Sequence, residues 1–280
     1  MEEGTHDLSP LWARQAKQWS QLGPPLRPSA EDMVPCQAAI DEWHSRHAGA
    51  PRALILGVTP DLATLRWRPG SAVVGSDLSF PMIRVVWPGP DAGAGVRRLA
   101  VQADWAFLPL PDAVCDLVLG DGSFSAAHHA LQPVLRQSVR RVLKAGSTFV
   151  LRAYVRPDDE EGPDDVWRDL VERRIRNFHT FKLRLLMAVR RPNGDGRVVD
   201  AWRFFDERCP SVEDLARRVG WPVEEIRTID AYRGQEIAYW FPTFAELRAE
   251  LADGFDEVAC VWPAYELGER CPTFTLRRRD

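Results

Sequence analysis

Short unbroken apolar runs mark the middle of this chain, each of strand length and each bounded by turn-forming residues. Residues 53–58 read Ala-Leu-Ile-Leu-Gly-Val, the signature of a strand buried on both faces. Residues 71–77 (Ser-Ala-Val-Val-Gly-Ser-Asp) form a second run and residues 96–101 a weaker third. Residues 114–120 (Val-Cys-Asp-Leu-Val-Leu-Gly) and 148–154 (Thr-Phe-Val-Leu-Arg-Ala-Tyr) are the fourth and fifth. Between these last two, Leu131, Val134, Leu135, Val139 and Leu143 recur at helical spacing, and the helix they predict closes at Lys144-Ala145-Gly146. A short helix is expected near residues 60–67. Strands alternating with helical or turn segments predict an α/β protein with a mostly parallel sheet covered on both faces.

The flanking regions have other patterns. Residues 1–50 predict a helical segment broken at Gly23-Pro24-Pro25, with Trp12, Gln15 and Trp19 along one face of its first half. Residues 51–156 hold the five strands. Residues 157–242 read as an insertion: a polar loop, a helix from Asp165 to about Arg190, and a turn at Pro192-Asn193-Gly194. In residues 243–280 a Thr243/Glu246 capping box predicts a helix through Leu251. Two closing strands follow, residues 257–262 and 273–277, near enough to pair as antiparallel neighbours. The whole is expected to be one domain.

Composition narrows the class. Hydrophobic residues make up 45% and charged residues 27%, as in ordinary globular proteins. The net charge of −4 gives no general attraction to nucleic acid or to anionic membranes. No apolar run reaches the roughly 18–20 residues of a membrane helix. The acidic start, Met1-Glu2-Glu3-Gly4, predicts no secretory leader. Five scattered cysteines without a CxxC predict neither zinc nor disulfides, and so a reducing, cytoplasmic setting. His44 and His47 lack a third ligand and read as surface residues, so no metal is expected. A basic stretch from Arg173 to Arg191, interleaved with Phe178 and Phe181, reads as the solvated face of a helix rather than an RNA surface.

In a doubly wound sheet, ligands bind beyond the carboxyl ends of the strands at the switch in strand order. Asp77 follows Gly57 by 20 residues, near the offset at which a carboxylate receives both ribose hydroxyls of an adenosine. The intervening loop, Gly57-Val58-Thr59-Pro60-Asp61, has a single glycine and is not GxGxxG. It serves a pyrophosphate poorly, which weighs against a dinucleotide-dependent oxidoreductase.

Residues 101–119, containing Asp104-Trp105-Ala106-Phe107-Leu108-Pro109 and then Cys115-Asp116-Leu117-Val118, resemble a stretch of the class I S-adenosylmethionine-dependent methyltransferases. Arg141-Val142-Leu143-Lys144-Ala145-Gly146 resembles their turn into the fifth strand, and Asp77-Leu78-Ser79-Phe80-Pro81-Met82 their second acidic motif. The loop at Gly57 departs from the family by the loss of two glycines. The resemblance covers about residues 51–155 and implies a Rossmann-like sheet of seven strands with the last pair antiparallel, N-terminal helices and an inserted helical cover. It implies methyl transfer from S-adenosylmethionine, with S-adenosylhomocysteine as product, to a small-molecule acceptor through oxygen or nitrogen. Asp77 would hold the ribose, Leu78 and Met82 would lie beside the adenine, Asp104 would bind its amine, and Trp105 would border the base. Gly57 and Thr59 would line the methionine moiety, and Gly120 would adjoin the sulfonium. Asp121 and His128 are the candidates for a base near the acceptor. The alternative is a non-catalytic protein that binds the same cofactor, which the altered loop and the absence of a plain base would fit.

Overall fold

The computed structural model describes residues 9–89 and 95–280, with the backbone alone for Ser9 and Pro10. The acidic start at residues 1–4, on which the expectation of no leader rests, lies outside them.

Two helices open the described chain, α1 (Ser9–Gln18) and α2 (Ala30–Arg46). Helix α2 begins in a capping box, in which the Ser29 hydroxyl accepts from backbone N–H groups while Asp32 accepts from the Ser29 N–H at 2.7 Å. Then come β1 (Arg52–Leu56), α3 (Pro60–Ala63), β2 (Ala72–Asp77), α4 (Phe80–Val86), β3 (Arg97–Gln102), β4 (Cys115–Asp121), α5 (Gln132–Val142) and β5 (Leu143–Arg152). The insertion contributes α6 (Pro163–Val171), α7 (Phe178–Ala188), β6 (Asp195–Arg197), α8 (Val198–Arg208), α9 (Val212–Val219), α10 (Val223–Arg227) and β7 (Ala238–Trp240). The chain closes with α11 (Phe244–Leu251), β8 (Phe255–Val261) and β9 (Thr273–Arg278).

Seven strands form one sheet in the order β3-β2-β1-β4-β5-β9-β8. The first five are parallel, and β9 runs antiparallel to both β5 and β8. Side chains alternate between the faces, which gives the sheet two cores. Leu54, Leu56, Val118 and Phe149 pack with Leu135 and Val139 of α5 and Leu247 of α11. Ala53, Ile55, Leu117 and Leu119 pack on the other side with Ile40 of α2 and Leu62 of α3. The insertion gathers a third cluster around Phe178, Phe181, Leu185 and Phe205, which also takes in Leu11 of α1 and Tyr154 beyond β5.

Three expectations need correction. The single helix over 165–190 is two, α6 and α7, broken at Arg173, whose φ is +61°, and restarted where Asn177 accepts from the Thr180 N–H at 2.8 Å. The apolar spacing runs through the break because both helices bury the same face in one cluster. Helix α5 ends at Val142 rather than at Gly146. Gly146 takes its positive φ of +69° inside β5, where pairing with β4 skips from Cys115–Leu143 to Leu117–Thr148. The basic stretch is no simple solvated face either. Lys182 is fully buried, and Arg184 is paired with Glu161 and Asp169.

Candidate functional site

The strand order reverses between β1 and β4, so the carboxyl ends of β1 to β5 surround the crevice where a doubly wound sheet takes its ligand. At the end of β1, Gly57 adopts φ +105° and its N–H donates to the Ser76 carbonyl at 2.7 Å. A side chain would strain this backbone, so the one glycine kept from the loop is the one its conformation needs. Thr59 is buried and precedes Pro60, which starts α3. Asp61 of that helix is ion-paired with Arg27 at 3.3 Å.

Asp77 ends β2. Its carboxylate accepts from the Ser79 N–H at 2.7 Å, and burial pushes its pKa up to about 6 against the pull of that bond. Ser79 in turn caps α4 through the Met82 N–H. Met82 is buried among Ala16, Val58 and Val86, whereas Leu78 is 39% exposed. After β3, Asp104 accepts from the Ala106 N–H at 2.8 Å, which starts a 3-10 turn at Trp105. The Trp105 indole N–H donates to the Ser76 carbonyl at 2.6 Å. Asp77, Asp104, Trp105, Gly57 and Thr59 thus stand on three adjoining strand ends.

The β4 and β5 ends differ in character. A Cβ on Gly120 would sit 2.5 Å from the Ser123 hydroxyl oxygen, so a side chain there would have to displace Ser123, and that hydroxyl is buried without a hydrogen-bond partner. Asp121 accepts from Arg152 Nε at 2.5 Å, and burial raises its carboxyl pKa against the pull of the guanidinium. Arg152 Nη1 also donates to the Pro25 carbonyl at 2.9 Å and to the Tyr265 hydroxyl at 3.0 Å, while Nη2 reaches the Tyr154 hydroxyl at 3.2 Å. Tyr154 donates to the same Pro25 carbonyl at 3.0 Å, and Tyr265 donates to Asp32 at 3.1 Å. This network fastens the segment before α2 across the β4 and β5 ends. His128 stands seven residues beyond Asp121, half-buried at the start of the 3-10 turn His129–Leu131.

Above the crevice, α1 packs against α4, and Arg14 donates to the Arg233 carbonyl of the insertion at 2.8 Å. The Trp12 ring lies 6.5 Å from that of Tyr239, whose hydroxyl is within electrostatic reach of Asp77, Tyr154 and Tyr232. Gln15 is buried on the same face of α1, with its carbonyl oxygen unpaired. Sequence reasoning missed Arg152, Asp32 and Tyr265. Arg152 did leave a signal, as the one charged residue in the run 148–154.

No family model matches the chain, and no curated protein matches it in sequence. Among solved structures, a Rhodobacter sphaeroides protein named as a candidate Zn-dependent alcohol dehydrogenase is 15% identical, with a TM-score of 0.58 over 98% of this chain and 100% of its own. The Burkholderia thailandensis 1,6-didemethyltoxoflavin-N1-methyltransferase, with S-adenosylhomocysteine bound, is 15% identical over 90% of this chain and 80% of its own, at a TM-score of 0.49. An S-adenosylmethionine-dependent methyltransferase of Methanosarcina mazei is 16% identical over 85% and 96%, also at 0.49. At these identities a likeness speaks to the fold alone. What decides the fold is the strand order, with β9 inserted antiparallel between β5 and β8. The fold is that of the class I methyltransferases. Asp77 stands at the end of the second strand, and Gly120-Asp121 at the exit of the fourth. Among the described residues, no group of three or more His, Cys, Asp or Glu side chains is placed to hold a metal ion, and no helix is long and apolar enough to cross a membrane.

Proposed function

We propose that this protein transfers a methyl group from S-adenosylmethionine to the oxygen or nitrogen of a small-molecule acceptor and releases S-adenosylhomocysteine. The observation that carries the reading is Asp77. It is a half-buried carboxylate at the end of β2, one strand from the switch point, with one oxygen taken by Ser79 and an elevated pKa that two donating hydroxyls would bring back down. The orphaned Ser123 hydroxyl beside Gly120, in a space that a Cβ would fill, is a second fitting feature.

When bound, the cofactor supplies an activated methyl on a sulfonium. The chain's part is to align the acceptor and exclude water. Asp77 would orient the ribose, and Asp104, Leu78 and Met82 would surround the base, with the Trp105 backbone bordering it. Gly57 and Thr59 would border the methionine moiety and Gly120 the sulfonium. Asp121, with its direction fixed by Arg152, would face the acceptor. His128 is a residue on the β4 side that could take a proton from an acceptor hydroxyl or amine. A cytoplasmic setting is supported by five free cysteines.

The second reading, a cofactor-binding protein without turnover, is favoured by one observation: Asp121 is committed to Arg152. A carboxylate already engaged by a guanidinium is not free to take a proton from the acceptor. Incubation with methyl-labelled S-adenosylmethionine and a broad acceptor panel separates the two. Label transfer that disappears in Asp77→Ala is the expected result. Cofactor binding without transfer to any acceptor would move the second reading to first place, and neither binding nor transfer would defeat both.

A further inference from the structure

We infer that the indole of Trp105 is a displaceable occupant of the nucleoside end of the site, so that a nucleoside binds only once Trp105 has released the Ser76 carbonyl. This rests on the methyl-transfer reading above. Trp105 starts the 3-10 turn after β3 and is held there by the Asp104 cap on Ala106. From that position the ring reaches back across β2. Its N–H donates at 2.6 Å to the Ser76 carbonyl, which already accepts from the Gly57 N–H at 2.7 Å. Its far edge (Cζ2) lies 3.8 Å from the place a Cβ on Gly57 would take. One side chain therefore spans the interval from the end of β3 to the end of β1, passing the residue that immediately precedes Asp77.

A nucleoside whose ribose is held by Asp77 must cross that same interval, because Gly57 and Asp77 are its two walls. The ring is not locked in place. It packs against the apolar cluster of β1 and β4 but stays partly exposed, and its one hydrogen bond is to a carbonyl that keeps the Gly57 N–H as a partner when the indole leaves. Small side chains at position 105 would leave the interval open. Trp105 therefore makes the site self-filling, and the population of the open form divides directly into the apparent affinity.

The test is calorimetric titration of the full chain with S-adenosylhomocysteine, comparing the parent with Trp105→Ala, Trp105→Phe and Asp77→Ala. Thermal unfolding of each variant verifies the fold. The expected result is binding about tenfold tighter in Trp105→Ala, with Trp105→Phe, which keeps a smaller aromatic ring but no indole N–H, in between. In the parent, the indole N–H resonance absent from Trp105→Phe spectra should shift as ligand is added. Equal or weaker binding in both Trp105 variants, with Asp77→Ala abolishing it, would overturn the inference and leave the methyl-transfer reading standing. If Trp105→Ala does not fold, Trp105→Phe decides by the same criterion. Folded parent and Trp105 variants that all fail to bind would bring down both.

Discussion

The two ends of the crevice are built in opposite ways. At the β1–β3 end, three polar side chains are satisfied by a neighbour close in sequence or on the adjoining strand: Asp77 by Ser79, Asp104 by Ala106, Trp105 by Ser76. At the β4–β5 end, local partners are joined by others from afar. Arg152 gathers Asp121, Tyr154, Tyr265 and the Pro25 carbonyl, residues as much as 127 positions away. The first end is a set of local turns that can exchange a side chain for a ligand. The second is a buried charge network that holds the cover on the sheet, and disturbing it should be felt in the stability of the whole chain.

The largest effect should therefore come from Arg152→Met, which leaves Asp121 buried without its cation and frees the Pro25 segment. A loss of about 3–5 kcal/mol in chemical denaturation is expected, with much of it recovered in the double variant Asp121→Asn, Arg152→Met. A loss below about 1 kcal/mol would mean that the network does not fasten the cover.

Next is Lys182, fully buried in the insertion with one hydrogen bond, to Thr228 at 2.7 Å, and with its pKa pushed down by burial to about 7. Because its folded-state pKa lies below the unfolded one, the unfolded chain binds the extra proton between pH 7 and about 10. Stability should rise with pH across that window, and the penalty should be complete below pH 7. Lys182→Met should stabilise the protein by about 1–3 kcal/mol at pH 7 and flatten the rise. Parallel pH–stability curves for parent and variant would contradict this.

The smallest effect sharpens the local end. In the proposed contact two ribose hydroxyls would donate to the ionised form of Asp77, whose pKa burial pushes up to about 6. Affinity for S-adenosylhomocysteine should hold above pH 7 and fall by up to about tenfold per unit below pH 6. A flat profile down to pH 5 would remove Asp77 from the contact.

The same contrast explains what the sequence made legible. The five parallel strands, the closing antiparallel pair and the Thr243–Glu246 cap all rest on local patterns, and all are found in the fold. So do Gly57, Asp77 and Asp104, which the strand ends bring together. The network around Arg152 was hidden because its members lie on five separate segments, with only a charge inside an apolar run to betray it. Lys182 was hidden for the opposite reason: surrounded in sequence by arginines, it looked like one more solvated cation until α7 turned it inward. The break between α6 and α7 was masked because burial in one shared cluster preserves the apolar spacing across it.

The most direct measurement is calorimetric titration of the parent and Asp77→Ala with S-adenosylhomocysteine at pH 7.5. Saturable one-site binding by the parent is expected, weakened at least about a hundredfold in the variant. Equal affinities would show that the ligand sits elsewhere than at the end of β2. No heat of binding from the folded parent would contradict the cofactor assignment itself.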